Sequence, residues 1–190
     1  LSRMLGSDAA MFNAILGQTW HPLYGDVAPQ ILNLNMGAPF QPFSRAPQIR
    51  YRYKTGDIQI TGAALWQSQY LSQGPEGKSQ KYIKNSCVPE IYAGIDYKHK
   101  GLLIGAGIEM VSLTPRTQAT VEDKIYKVSE RITSLSYEVH MKYNSEKWLV
   151  AAKSVLGSNL TQTSMLGGYG IKSIDPRTGE QEYSPNRNSS

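Results

Sequence analysis

The chain lacks any apolar run near the ~20 residues a membrane-spanning helix needs. That excludes a helical membrane protein. It leaves a β-barrel open, because barrel strands alternate and so average out polar. Cysteine is nearly absent: Cys87 is the only one, so neither an internal disulfide nor a cysteine-based zinc site can form. It reads as an incidental thiol near a strand start. Charge is sparse, at 18% of residues against the ~25% usual in soluble domains. The net charge of +5 comes from scattered Lys and Arg, without a basic helix or an RNA-binding motif, so nucleic acid is not an expected partner. Phe and Trp are scarce at three each, whereas Tyr numbers 12. Amphipathic rings of that kind suit a membrane interface or a sugar-binding face.

Chemistry-bearing motifs are also missing. No G-x-S-x-G nucleophile motif occurs. His21, His99 and His140 fall on different predicted elements, and no acidic cluster joins them at ligand spacing. No catalytic residue, metal or cofactor is therefore expected. Glu109 and Glu138 would form a carboxylate pair only if their strands met at equal height. Leu166-Gly167-Gly168-Tyr169-Gly170 has no flanking pore helices and reads as a glycine-rich loop, and Asn159-Leu160-Thr161 is an isolated sequon. A basic leader followed by an apolar core is absent at Leu1. The chain starts without Met and ends in PNRNSS, with no strand to close a sheet; it reads as an internal fragment, residues 1–190, of one longer barrel domain.

What is present is alternation. From Tyr137 to Tyr143, Tyr137, Val139, Met141 and Tyr143 fall on one face, and Glu138, His140 and Lys142 on the other. A period of two is a strand signature. A polar turn, Asn144-Ser145-Glu146, leads to Trp148, Val150 and Ala152, which begin a second apolar row. The pattern recurs. Met11–Trp20 reads as a strand with Phe12, Ala14, Leu16 and Trp20 on one face. In Pro47–Lys54, Ile49, Tyr51 and Tyr53 alternate with Arg50, Arg52 and Lys54. After Thr55-Gly56 the chain returns over Asp57–Leu71, with Ile58, Ile60, Gly62, Ala64, Trp66 and Tyr70 in one row. Pro89–Lys98 and Gly101–Ser112 repeat the hairpin, the latter with Leu102, Ile104, Ala106, Ile108 and Met110 opposite Gly105, Gly107 and Glu109.

Three long segments separate the hairpins. His21–Ala46 holds four prolines and two glycines, so it reads as a loop, and loops of that length are usually functional. Ser72–Ser86 is polar, and Leu113–Ile132 has a charged middle. Residues 159–190 read as an extracellular loop containing a small hairpin, Ile171–Ile174 with Gln181–Tyr183.

Each descending strand ends at an equivalent tyrosine, Tyr53, Tyr97 and Tyr143, which recur every ~45 residues. Such a period also marks propeller blades and helical solenoids. The period of two excludes the solenoid, and two strands per repeat rather than four exclude the propeller. Connections alternate short and long, so an up-and-down sheet has all its tight turns at one end, as in outer-membrane barrels.

GQTWHP (Gly17–Pro22), the piece Leu34–Pro47, PEIYAG (Pro89–Gly94) and the RNSS ending resemble porin-type outer-membrane β-barrel proteins of Bacteroidetes-like bacteria. The resemblance implies an all-β, antiparallel, up-and-down transmembrane barrel with short periplasmic turns and long extracellular loops. It also implies more strands than are seen here, and a signal sequence and closing strand outside this chain. The basic balance departs from the acidic one usual in that family.

The expected function is passive diffusion of small hydrophilic solutes or ions through the bacterial outer membrane, with a mild anion preference. Outer-membrane lipid is the expected environment and a homotrimer one assembly. Strand parity makes Arg50, Arg52, Asp96, Glu109, Glu138, His140, Lys142 and Lys153 the pore-lining candidates. Such charges either set ion preference or only keep a water-facing wall wetted. The loop 21–46 is the candidate constriction, through Asp26, Phe40, Phe43 and Arg45; packing on the rim or on a trimer neighbour is the other reading. Tyr53, Tyr97, Tyr143 and Trp148 are assigned to the periplasmic aromatic girdle. Two alternatives stand: a soluble or surface β-sandwich that binds glycans, and a barrel used for adhesion or specific uptake. The sandwich would bury its apolar row and expose its charges; the barrel does the reverse.

Overall fold

A computed structural model describes residues 2–5, 10–27 and 37–190. The chain begins with β1 (Ser2–Leu5) and β2 (Ala10–Trp20), then a 3₁₀ turn at Pro22–Tyr24. A tight hairpin follows, β3 (Arg45–Thr55) and β4 (Ile58–Leu65). The next connection carries a two-rung hairpin, β5 (Gln73–Gly74) with β6 (Gly77–Lys78), and helix α1 (Lys81–Ser86). A second long hairpin is β7 (Glu90–His99) and β8 (Leu102–Leu113). After β9 (Gln118–Val121) and β10 (Lys124–Lys127) come β11 (Ile132–Asn144) and β12 (Leu149–Ser158). A second 3₁₀ turn at Thr161–Thr163 leads to β13 (Tyr169–Ile174), β14 (Gln181–Pro185) and β15 (Arg187–Ser189).

The fold is all-β. Among the described residues the main sheet has nine strands in the order β1-β2-β3-β4-β7-β8-β11-β12-β15, with β1 and β15 at its edges. Its neighbours pair antiparallel throughout. Strands adjacent in the sheet follow one another along the chain, with the small hairpins inserted between them. The turns β3–β4, β7–β8 and β11–β12 lie at one end, and the hairpins and α1 at the other. Register is fixed by side-chain chemistry, because a slip by one residue would exchange the two faces.

Those faces are reversed relative to a soluble sheet. The outward rows are apolar and exposed: Leu16 (84%), Ile49 (63%), Ile60, Ile95, Ile104, Tyr137 and Val139 (56%) all stand free of the protein. The opposite rows bury Gln48, Arg50, Thr61, Glu90, Glu109, Glu138 and His140. On the outward side, Ile95, Tyr97, Ile104, Val139 and Met141 wall a furrow of about 610 Å³ floored by Ala106.

The buried apolar core sits on the inner side, largely at the long-loop end. One cluster joins Leu23, Ala46, Ala63, Leu65, Tyr92, Val155, Leu160 and Met165. The other joins Tyr82 and Ile83 of α1 to Val111, Leu113 and Ile132, with Trp66, Tyr169 and Tyr183 packed against it.

Three expectations need correcting. Ser72–Ser86 is not only a polar loop: Tyr82 and Ile83 are fully buried, and that burial docks α1 against β8. Leu113–Ile132 contains the β9–β10 hairpin, in which Thr120 pairs with Ile125. The terminal stretch is not strandless, since β15 pairs with β12 through Leu156–Ser189 and Gly157–Asn188. The hairpin expected within 159–190 is present as β13–β14.

Candidate pore-lining site

The inner wall of the sheet is built around glycines. Inward positions of β8 are Gly105, Gly107 and Glu109. The register sets Gly105 between Asp96 and His140, and Gly107 between Gly94 and Glu138. A Cβ on Gly105 would collide with the Asp96 carboxylate and the His140 ring; one on Gly107 would collide with the Tyr92 phenol. The missing side chains let groups two strands apart meet. Asp96 Oδ1 lies 3.1 Å from His140 Nε2, and the Tyr92 hydroxyl donates to Glu138 Oε1 at 2.8 Å. Gln59 Nε2 donates to Asp96 Oδ2 at 2.9 Å, and His140 Nδ1 lies 3.4 Å from Glu138 Oε2.

The segment after β2 folds onto this wall. Prolines and glycines keep it out of the sheet, and three cations hold it down. Lys153 Nζ donates to the carbonyls of Leu23 and of Tyr24, the latter at 2.8 Å, and lies 3.8 Å from Glu138 Oε2. Arg50 donates to the Trp20 carbonyl and to Gln48 Oε1. Lys98 Nζ pairs with Asp26 Oδ2 at 2.8 Å. Partial burial alone would raise the Asp26 carboxyl, but Lys98, with Arg52 behind it, holds it below the usual carboxylate value. Between segment and wall lies a groove of about 260 Å³, lined by Asp26, Arg52, Thr61, Asp96, Glu138 and His140 among others.

A second polar cluster lies towards the long-loop end. His21 Nε2 sits 3.0 Å from Glu109 Oε1 and 3.4 Å from Glu90 Oε2. Gln67 Nε2 donates to Glu90 Oε1 at 2.6 Å and to the Ser72 hydroxyl at 2.7 Å. His21, Glu90 and Glu109 are all buried. Burial alone would lower the His21 pKa, but the charge of Glu109, reinforced by Glu90, raises it to about 9. The Leu23 N–H donates to His21 Nδ1 at 3.2 Å. That bond uses the Nδ1 lone pair, so it is lost, at a cost of ~1 kcal/mol, when the ring is doubly protonated.

The predicted residues therefore separate. Arg50, Arg52, Asp96, Glu109, Glu138, His140, Lys142 and Lys153 all stand on inward rows. Arg52, Asp96, Lys142 and Lys153 are half-buried, whereas Arg50, Glu109, Glu138 and His140 are buried. They do not form an open charged wall; most are used in cross-strand pairing or in holding the segment 21–26.

Of the loop residues, Asp26 faces the groove. Phe43 packs against Trp20 (5.2 Å), Tyr24 (6.4 Å) and Tyr70 (5.8 Å). Phe40 is exposed in a turn. Arg45 does not line the groove: it opens the outward row of β3, its guanidinium 5.5 Å from the Trp20 ring. Residues 28–36 of the loop lie outside the described set.

Tyr53, Tyr97 and Tyr143 hold outward positions near the short turns, Tyr53 packed on Phe12 at 4.9 Å. Trp148 is exposed in the β11–β12 turn. Sequence reasoning missed Tyr92 and the union of His21, Glu90 and Glu109. Tyr92 was signalled by its inward parity opposite the glycine row. The union had no local signal, since His21 and Glu90 are 69 residues apart.

Comparison of the chain with protein-family models, with curated proteins and with solved structures gives no match.

Proposed function

We propose that this sheet is the wall of a bacterial outer-membrane β-barrel that admits small hydrophilic solutes, as in the porin-type proteins its sequence resembles. One observation carries the reading: the apolar rows face outward and the charged rows are covered. Fully exposing a large apolar side chain costs ~1.5–3 kcal/mol relative to burying it. An unpartnered apolar face of this extent is a membrane or protein interaction surface. Facing lipid, the same rows, the outward furrow and the tyrosines near the short turns all find apolar or interfacial surroundings. A β-sandwich would need the opposite assignment of faces.

The segment 21–26 is the constriction in this reading, held by Lys153, Arg50 and Lys98. The groove side keeps Arg52, Lys54 and Lys142 without an ion pair among the described residues, which favours anions near the short-turn end. The dense internal pairing favours a second reading, a narrow barrel for specific uptake rather than general diffusion.

Planar-bilayer recording separates these readings. A diffusion pore gives stepwise conductance, with a reversal potential under a KCl gradient displaced towards anions, and Arg52→Ala reduces that displacement. Cation selectivity unaffected by Arg52→Ala would remove the anion preference. Membrane-inserted protein without conductance would favour specific uptake. Protein that stays monodisperse without detergent would overturn the barrel.

A further inference from the structure

Two carboxylates and one imidazole share a buried cluster at the long-loop end. Glu90 and Glu109 sit side by side in the interior, at 1% and 0% exposure, with His21 between them. One ligand atom from each of the three lies within 4.8 Å of the others. Glu90 Oε1 is satisfied by Gln67. Glu109 is less well satisfied: Oε1 has the His21 contact at 3.0 Å, and Oε2 has no hydrogen-bond partner of good geometry among the described residues. Gln162, from the 3₁₀ turn after β12, is turned towards Glu109. It too is buried, and its amide has no hydrogen bond of good geometry among the described residues. Leaving buried polar groups unpaired is costly, and for carboxylates more so.

We infer that His21, Glu90 and Glu109 form a zinc-class divalent metal site, with Gln162 beside it as a hydrogen-bond donor to Glu109. One imidazole nitrogen with carboxylate oxygens suits zinc or manganese rather than a thiolate-seeking ion. Two ionised carboxylates also neutralise one divalent ion. Coordination through Nε2 puts the ring proton on Nδ1, so the Leu23 N–H must turn away; that loses a bond worth ~1 kcal/mol. The ion would join the segment after β2 to β7 and to β8. It would thus staple the inward segment to the wall at the end opposite the Lys98–Asp26 pair. The site stands on the geometry of these three side chains and does not require a conducting pore.

The test uses the folded protein, stripped with EDTA and titrated with zinc chloride alone by equilibrium dialysis. The wild type should bind one equivalent and gain thermal stability. Glu109→Gln should weaken binding by at least ~100-fold, the upper end of what outer-shell partners alone cost, and abolish the zinc-dependent shift. His99→Ala is the control, because the exposed His99–Asp57 pair at 2.7 Å is the competing surface site; it should leave both readouts unchanged. Equal binding by wild type and Glu109→Gln, or loss in His99→Ala, would overturn the assignment. If Glu109→Gln does not fold, cobalt loaded into the wild type decides. Intense d–d bands of a low-coordinate nitrogen and oxygen site are expected; the weak spectrum of the hydrated ion would overturn the site.

Discussion

The outer and inner faces of this sheet share one backbone and one register but follow opposite rules. On the outside, residues make almost no directed contacts: Ile95, Val139 and Leu156 stand apart from the protein, and their chemistry is set by the surrounding medium. On the inside most of the buried polar side chains are coupled. Glycine at 105 and 107 gives Asp96, Tyr92, Glu138 and His140 the room to reach across a strand, and Lys153 and Arg50 turn from the wall to hold a loop. A substitution outside should therefore report the environment, whereas one inside should report the network.

The largest effect is expected outside. Ile95→Arg places a charge mid-strand on the apolar face. In lipid vesicles it should destabilise folding by about 2–4 kcal/mol, with the loss greatest at the bilayer centre. Urea titration of vesicle-folded protein reads this, and an effect below ~0.5 kcal/mol would mean that the face meets water.

Inside, Lys153→Met removes two hydrogen bonds to the loop carbonyls and a cation beside Glu138. Hydrogen bonds to a charged group contribute ~1.5–3 kcal/mol. The expected result is a comparable loss, with proteolysis beginning in the segment 21–46 rather than in the strands. Cleavage spread evenly over the chain would show that the loop is not held in this way.

Gly107→Ala should cost ~1–3 kcal/mol through overpacking, since the added methyl meets the Tyr92 ring. Tyr92→Phe removes the nearest atom, the hydroxyl, but keeps the ring carbons, so it should relieve the clash only in part, whereas Tyr92→Ala should relieve it fully. Additive costs in the Gly107→Ala/Tyr92→Ala pair would contradict the contact.

The smallest effect belongs to the half-exposed Lys98–Asp26 pair. The folded-state pKa of Asp26 is lowered. Its contribution is therefore fully present above the ordinary carboxylate value and is lost as pH falls through the folded one. Acid titration of the wild type should show a small loss in that window, absent in Asp26→Asn. A loss at rising pH instead would reverse the sign of the Lys98 pairing.

The sheet was legible because its code is local. Period two assigned Tyr137 and Val139 to one face and Glu138 and His140 to the other, and the tight turns fixed which strands are neighbours. The inner network was only half legible. Parity put Arg50, Glu109 and Lys153 inward, but their partners depend on the height at which strands pair and on where a proline-rich loop comes to rest. Helix α1 was hidden because KYIKNS is short and mostly polar, and only docking of Tyr82 and Ile83 makes it worth forming. Arg45 was misplaced because the strand begins two residues before Pro47, and parity then turns it outward. His21, Glu90 and Glu109 come from three elements, and only the fold shows that they meet.

The central claim is that the apolar face meets lipid. Spin labels placed singly along Tyr137–Tyr143, in a Cys87→Ser background because Cys87 is exposed, test it in vesicles. Collision with oxygen should peak at Val139 and Met141, and fall at Glu138 and His140. Collision with a water-soluble nickel chelate should stay low at Val139 and Met141. High nickel and low oxygen accessibility at Val139 and Met141 would contradict the account.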